Sequence, residues 1–478
     1  MFNQNQIYFI GIGGIGMSAL ARYFKAKGCD VCGYDRTETV LTQTLAEECI
    51  AVHYTDDVNA IPASYQADKD RTLVVYTPAV PASHSELQWF KSRDYLMMKR
   101  SEVLGMISQN KQTIAVAGTH GKTSVSTMIA HLLTVSGVGC DAFLGGISKN
   151  YKSNLLLYNN MEGDKGINPL VNPVEDSRYV VAEADEYDRS FLRLHPHIAV
   201  VTAMDADHLD IYGTHDALKE AFAQFVSQIT PAGMLFIKYG LTLPVSESVR
   251  TFTYSLDNLK ADFHAGNIRM DGDRYLFDLQ TPRGTIHDIH VGVPGLVNVE
   301  NGVAAMAVAC LIDADAEKIK NGMASFEGIQ RRFDYRVRTS DVVYIDDYAH
   351  HPEELWFTIE SVRKLYPGRR ITGIFQPHLY TRTRDFADEF SQSLSMLDAL
   401  ILLDIYPARE EPIEGVTSKM IFDKVTIGDK YLCSKKEVIN MLKDMETGVL
   451  LTLGAGDIDT LAAPIEELLK SNIQTKYH

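Results

Sequence analysis

The 478-residue chain is short of the features that mark secreted, membrane-spanning and nucleic-acid-binding proteins. Its six cysteines are scattered, at 29, 32, 49, 140, 310 and 433. Cys29 and Cys32 form the one C-x-x-C, and no second pair completes a zinc site. The two begin an expected strand, on which residues three apart face opposite ways, so they read as small buried apolar side chains. No apolar run reaches the roughly 18 residues of a membrane span. The first strand-like stretch, Ile7–Ile10, runs straight into glycines without the basic start and cleavage site of a signal peptide. The expectation is a soluble, cytoplasmic chain. Positive charge is short too. Against 62 Asp and Glu stand 46 Lys and Arg, a net charge of −16 that repels phosphate backbones and excludes a general nucleic-acid binder. An anionic substrate would have to be met locally, by glycine loops, a lysine or metal ions.

The chain does have an ordinary globular mixture, 45% hydrophobic and 23% charged, enough to bury a large core. At roughly 150 residues per domain its length suggests about three domains. Short apolar runs alternate with helical patterns, which argues for parallel sheets built from βαβ units. Three such runs end in glycine clusters that lead into helices: Ile7–Ile10 before Gly11–Gly16, Thr113–Ala117 before Gly118–Thr123, and Leu450–Leu453 before Gly454-Ala455-Gly456. One opening per third of the chain fits three α/β domains. Boundaries are expected near Ser108–Gln112 and Gly328–Arg332, giving domains 1–110, 111–330 and 331–478. Residues 150–178 read as a long excursion. Within 251–292, Tyr275–Leu279 and Ile286–Val291 read as short strands beside an Asp271-Gly272-Asp273 turn, a small antiparallel appendage on the central domain.

Gly11-x-Gly13-x-x-Gly16 follows a strand and precedes the helical stretch Ser18–Lys27, which Gly28 can end; a second strand ends at Asp35. Glycines let the backbone approach a diphosphate, whose charge is favoured by amides at a helix start. The expectation is a Rossmann-like domain holding a diphosphate, of NAD or of a nucleotide-sugar.

Gly118-Thr119-His120-Gly121-Lys122-Thr123 resembles a Walker A loop with one departure: Val116 stands where that pattern wants its first glycine. The working core is present. Backbone amides can cradle phosphates, Lys122 can reach the β- and γ-phosphates, and the Thr123 hydroxyl can bind magnesium. A magnesium–ATP site also needs hard oxygen ligands. Tyr179–Ala182 is an apolar strand ending at Glu183, in the place of a Walker B acid, and Ile198–Val201 leads to Asp205-Ala206-Asp207-His208-Leu209-Asp210. Both acidic clusters lie at carboxyl ends of strands, where open α/β sheets place ligands. Glu183 and His208 are the expected metal residues; imidazole is an unusual magnesium ligand, which leaves an outer-shell place open for His208. Asp185, Asp188 and Asp216 suit helix caps and loops.

In the last third, Asp346-Asp347-Tyr348-Ala349-His350-His351-Pro352 follows one strand and Gln376–Arg384 another. The adjacent histidines have no third ligand at metal-site spacing, so substrate binding is the better expectation. Arginines offer forks for carboxylates and phosphates, and Arg331 and Arg332 at the domain junction could reach a nucleotide.

Taken together, the N-terminal glycine loop, GTHGKT, AEADE, DADHLD, the segment Pro294–Asn301, DDYAHHP and FQPHLYTRTRD resemble the Mur ligases in order along essentially the whole chain. The resemblance implies an N-terminal Rossmann-like domain for a UDP-sugar, a central P-loop ATPase-type domain and a C-terminal Rossmann-like domain. It implies joining of L-alanine to the lactyl carboxylate of UDP-N-acetylmuramate, in peptidoglycan precursor synthesis, with ATP and Mg2+. The carboxylate would take the γ-phosphate to form an acyl phosphate, which the amine of alanine would displace. The roles implied are these. Gly118, Thr119, His120, Gly121, Lys122, Thr123 and Ser124 would hold ATP, with Asn298, Asn301, Arg332 and Asp347 also near the nucleotide. Thr123, Glu183 and His208 would hold metal. Tyr348, His350, His378 and Arg382 would hold the amino acid and acyl intermediate, with a histidine of near-neutral pKa taking the amine's proton. Gly13, Gly14, Ile15, Gly16, Met17 and Asp35 would serve the UDP-sugar. Lys122, Glu183, His208, His350 and Arg382 are the expected catalytic group. The nearest alternative is a recycling ligase that takes a preformed tripeptide; Gly13-Gly14-Ile15-Gly16 favours alanine. A nicotinamide-dependent oxidoreductase would leave GTHGKT and its acids without a purpose. No oligomeric state follows from the sequence.

Overall fold

The computed structural model describes residues 4–109, 111–158, 177–205, 209–272, 274–312, 314–408, 410–443, 445 and 448–476. Among these residues the strands form three sheets. The first contains β1 (Gln6–Ile10), β2 (Asp30–Tyr34), β3 (Ala51–His53), β4 (Thr72–Tyr76) and β5 (Leu96–Lys99), in the order β3-β2-β1-β4-β5 and all parallel. Strand order reverses between β1 and β4, so the loop after β1 opens at the switch point of the sheet. The unbroken apolar run of β1 follows from burial on both faces: Ile7 and Phe9 pack with Leu20 and Phe24, while Tyr8 and Ile10 pack with Tyr65 and Phe90. The helix after the loop spans Ile15–Ala26, starting three residues before the expected Ser18 because Gly14 is its N-cap. Cys32 is buried in β2, whereas Cys29 precedes the strand.

The second sheet holds β6 (Gln112–Ala117), β7 (Asp141–Ser148), β8 (Ser153–Leu156), β9 (Tyr179–Glu183), β10 (Ile198–Val201), β11 (Met234–Lys238), β12 (Arg250–Ser255), β13 (Phe263–Asp271), β14 (Arg274–Thr281) and β15 (Gly284–His290). Its order is β15-β14-β13-β12-β11-β10-β6-β9-β7-β8. The run from β12 through β6 to β7 is parallel. β13 joins β12 in parallel, and β14 and β15 follow antiparallel. The expected antiparallel appendage is therefore the outer edge of this same sheet. Residues 159–176 of the expected excursion, and Asp273 of the expected turn, lie outside the described residues.

Residues 1–327 form one compact unit and 328–478 another. Within the first unit one hydrophobic core runs without interruption from Ile7, Phe9 and Leu20 into Ala115, Phe143, Val180 and Val201 of the second sheet. Polar contacts reinforce the junction. Asn154 of β8 donates to Ser18 Oγ at 2.9 Å and accepts from Arg22, whose Nε donates to Glu48 at 2.7 Å.

The second unit carries β16 (Asp334–Arg338), β17 (Val343–Asp347), β18 (Ile371–Phe375), β19 (Ala399–Leu402), β20 (Lys430–Leu432) and β21 (Val449–Leu453), ordered β16-β17-β21-β18-β19-β20. All pair in parallel except the edge strand β16, which has no counterpart in the sequence reading. Asp346 and Asp347 lie inside β17 instead of following it. Asp346 is tolerated there because its register partner Thr452 donates to it at 2.6 Å. Asp347 accepts from Thr358 Oγ1 at 2.9 Å and from the Ala349 amide at 3.1 Å. No described helix is long and apolar enough to cross a membrane.

Candidate active site

The second glycine loop leaves the carboxyl end of β6. Gly118, at φ +140°, lies so close to Thr202 at the end of β10 that a Cβ would collide with its hydroxyl. Thr202 Oγ1 donates to the carbonyls of Ala117 and His120, tying the loop to the neighbouring strand. Gly121, left-handed at φ +80°, caps the helix Lys122–Ser136. No acid stands in the first turn of that helix, so its amide dipoles suit an anion.

Lys122 Nζ donates to Glu186 Oε1 at 2.8 Å and to the Gly118 carbonyl at 2.7 Å. Burial pulls the lysine pKa down, but Glu186, Asp185 and Glu183 outweigh it and hold the ammonium above the ordinary lysine range. Burial pushes the Glu186 carboxyl up, and Lys122 offsets part of that. Beside this pair, Thr123 Oγ1 donates to Glu183 Oε2 at 2.9 Å. Gly145 of β7 makes the room: a Cβ there would overlap the Glu183 carboxylate. A hydroxyl beside a carboxylate is the hard-oxygen donor chemistry that magnesium takes. Asp205 accepts from Thr119 Oγ1 at 3.3 Å and lies 3.9 Å from His120 Nε2. Ser124 is half-buried in the first turn. Asn301 is buried, its Oδ1 3.0 Å from where a Cβ on Gly121 would stand. Asn298 is engaged elsewhere, its amide donating to the Pro294 carbonyl at 2.6 Å. His208 lies outside the described residues.

At the first loop the Gly13 amide donates to Asp35 Oδ2 at 2.7 Å, and the Thr37 amide to Oδ1 at 3.2 Å. Asp35 thus braces the first glycine loop. The Met17 side chain is 2% exposed and packs in the core, so its backbone alone can serve a ligand there. Gly14, Ile15 and Gly16 form the outer rim of the loop, exposed or half-buried. Arg100, absent from the sequence reading, stands over Gly16: its Nη1 is 2.9 Å from where a Cβ on that glycine would be.

In the second unit, Arg331 and Phe333 have φ of +61° and +48° on either side of Arg332. Two non-glycine residues held left-handed cost of order 1 kcal/mol each. The turn is fixed by the Tyr348 amide donating to the Arg331 carbonyl at 2.7 Å, and it lays the Arg332 guanidinium 4.8 Å above the Tyr348 ring. Tyr348 meets His350 edge-on at 5.3 Å, His350 meets His378 at 6.0 Å, and His378 stacks on Tyr406 at 5.8 Å and 22°. Tyr406 had no signal in the sequence; a parallel bridge between it and His378 brings it there. Burial pushes His350 down to about 4, Glu354 pulls it back in part, and Arg382 and Arg332 lower it further. His350 is thus a neutral imidazole at pH 7, and its 3.2 Å approach to Glu354 is no ion pair. Arg332, Tyr348, His350, His378 and Arg382 are brought together, while Asp347 sits within the strand, its carboxylate turned to Thr358 and Ala349.

The architecture is that of a three-domain α/β protein with a Walker A-like glycine loop in its central domain. Three family models match in order: "Mur ligase family, catalytic domain" over residues 6–112, "Mur ligase middle domain" over 116–309, and "Mur ligase, glutamate ligase domain" over 331–458. The chain belongs to the Mur ligase family. It is 52% identical, over 98% of both chains, to the UDP-N-acetylmuramate–L-alanine ligase of Parabacteroides distasonis. It is 50% identical to that of Porphyromonas gingivalis W83, over 98% of this chain and all of the relative. Its fold matches the crystal structure of a UDP-N-acetylmuramate–alanine ligase from Thermotoga maritima, with a TM-score of 0.80 at 24% identity over 98% of this chain and 99% of that one. A murein peptide ligase from Psychrobacter arcticus gives 0.70 at 21% identity, over 97% and 98%.

Proposed function

We propose that the protein is an ATP-dependent ligase that joins L-alanine to the lactyl carboxylate of UDP-N-acetylmuramate, in the cytoplasm, as a step of peptidoglycan precursor synthesis. The observation that carries the reading is the full-length likeness, near 50% identity, to relatives bearing that name. A preformed tripeptide in place of L-alanine is disfavoured on the same ground.

A carboxylate is a poor acyl donor. Attack of its oxygen on the γ-phosphate of ATP forms an acyl phosphate and ADP; the alanine amine then adds to the acyl carbon, and phosphate leaves from the tetrahedral intermediate. The first step brings two anions together, and Lys122 with the amides of residues 118–124 offsets their repulsion. Thr123 and Glu183, with His208, would hold magnesium, which supplies further positive charge against the phosphates. Asn301, Asn298, Arg332 and Asp347 serve the nucleotide, and Gly13, Gly14, Ile15, Gly16, the Met17 backbone and Asp35 form the sugar-nucleotide loop. Tyr348, His350, His378 and Arg382 serve the amino acid. His350 Nδ1 lies 3.0 Å from the Tyr348 carbonyl, which places its proton there and leaves Nε2 as an acceptor for the alanine amine. A base this weak orients the amine more than it deprotonates it. The domains assigned to these tasks are 1–110, 111–330 and 331–478.

The test is phosphate release with ATP, magnesium, UDP-N-acetylmuramate and L-alanine, each omitted in turn. Turnover should need all four, and Lys122→Ala should abolish it. Undiminished turnover without the sugar nucleotide, or faster turnover with tripeptide than with L-alanine, would overturn the reading.

A further inference from the structure

We propose that Arg331 is a positioning residue, which holds the third glycine opening, Gly454-Ala455-Gly456, against the aromatic side chains of the amino-acid site. The proposal rests on reading Tyr348, His350 and His378 as the place where L-alanine binds. The sequence leaves this opening without a task and offers Arg331 as a nucleotide contact. In the structure the two meet. Arg331 Nη2 donates to the Gly454 carbonyl at 2.7 Å and to the Gly456 carbonyl at 3.4 Å. Nη1 donates to Asp459 at 3.3 Å, and Nε lies 3.8 Å from the buried Asp346. A planar fork spread over two main-chain carbonyls and an acid fixes a loop in a way that the point charge of a lysine does not.

The opening passes this hold on. Gly456 has φ −81° and ψ −159°, a backbone open to any residue, yet a Cβ on it would stand 2.7 Å from Tyr406 Cβ and Cγ and 2.5 Å from Gln376 Oε1. Close approach, not conformation, demands the glycine. Tyr406 in turn stacks on His378, His378 meets His350, and His350 meets Tyr348. Arg331 itself returns to Tyr348, its guanidinium carbon 5.1 Å from the ring centre. The contacts close a circuit, Arg331–Gly456–Tyr406–His378–His350–Tyr348, in which each member is held from two sides. The left-handed backbone of Arg331, at φ +61°, persists because the Tyr348 amide and these side-chain contacts over-determine it. Loss of the fork releases the glycine opening and, through Gly456, the ring that packs on His378.

The test is steady-state kinetics in L-alanine and in ATP for Arg331→Lys and Gly456→Ala, each alone and combined with Tyr406→Ala. Arg331→Lys keeps the charge beside Asp346 and Asp459 but loses the fork. It should raise the KM for L-alanine about tenfold, with kcat and the KM for ATP within about twofold of the parent. Gly456→Ala, which alters no charge, should do the same. Because both act through the Tyr406 ring, each should add little to Tyr406→Ala, so that the combined effect falls well short of the product of the single ones. An unmoved KM for L-alanine, a parallel rise in the KM for ATP, or effects that multiply with Tyr406→Ala would each overturn the proposal. Should Arg331→Lys fail to fold, Gly456→Ala decides by the same criteria. A parent protein whose turnover does not saturate with L-alanine removes the amino acid from this site altogether, a result distinct from variants that keep the parent's KM.

Discussion

Lys122 Nζ and Glu186 Oε1, 2.8 Å apart, form an ion pair whose carboxylate is wholly buried. An ammonium this enclosed needs a counter-charge at all times. Glu186 provides it here, and a triphosphate arriving at the loop would provide it instead.

Glu186→Gln should therefore destabilise the nucleotide-free protein, by up to about 3–5 kcal/mol, the cost of breaking one side of a buried pair. Magnesium–ATP should restore the missing charge. Thermal unfolding with and without nucleotide checks this: the nucleotide-induced rise in Tm should be larger in the variant than in the parent. Equal rises would show that Lys122 does not pass from carboxylate to phosphate.

Gly145→Ala places a methyl group where the Glu183 carboxylate now sits, and β7 backbone cannot give way cheaply in a packed sheet. Displacing the carboxylate from Thr123 should cost about 100-fold in kcat. The demand for magnesium should rise as well. A magnesium titration of turnover checks both; an unchanged magnesium requirement would separate Glu183 from the metal.

Tyr406→Ala removes the ring stacked on His378. Loss of an aromatic pair of about 0.5–1.5 kcal/mol should raise the KM for L-alanine several-fold to about tenfold. Tyr406→Phe should keep the parent value, and the KM for ATP should not follow. Steady-state kinetics in each substrate decide; a KM for L-alanine unmoved by the alanine variant would place Tyr406 outside the amino-acid site.

Glu86 is fully buried, accepting from Tyr8 Oη at 2.8 Å and lying 3.3 Å from His53 Nε2. Burial pushes its carboxyl up to about 7, with the Tyr8 hydrogen bond pulling partly back. The folded chain then holds this proton to higher pH than the unfolded chain does. The associated stability is complete below the unfolded value of 4.5 and is lost as pH rises through about 7. Glu86→Gln should remove that slope, so that the parent loses roughly 2 kcal/mol relative to the variant between pH 5 and pH 8. Unfolding midpoints of both proteins at the two pH values provide the measurement; parallel pH profiles would rule the effect out.

Several local features were legible without coordinates. A strand, a glycine cluster and a helix follow one another within a few residues at Gly11–Gly16 and at Gly118–Thr123, and backbone sterics and amide dipoles act over that range. The placement of Glu183 at the end of an apolar strand followed from the same logic, and β9 ends there. The sequence understates the reach of β17, because Asp346 and Asp347 have the character of loop residues and only Thr452 and Thr358, distant in the chain, satisfy them within the strand.

The amino-acid order alone determined the α/β alternation, the three glycine openings and the lysine, threonine and glutamate of the central loop, since each is encoded by near neighbours in the chain. The tertiary structure decided that Glu186 meets Lys122, that Asp35 braces its loop, that Arg100 covers Gly16 and that Tyr406 stacks on His378. Those pairings depend on sheet order and core packing, which bring together residues far apart in sequence and set their charges by burial.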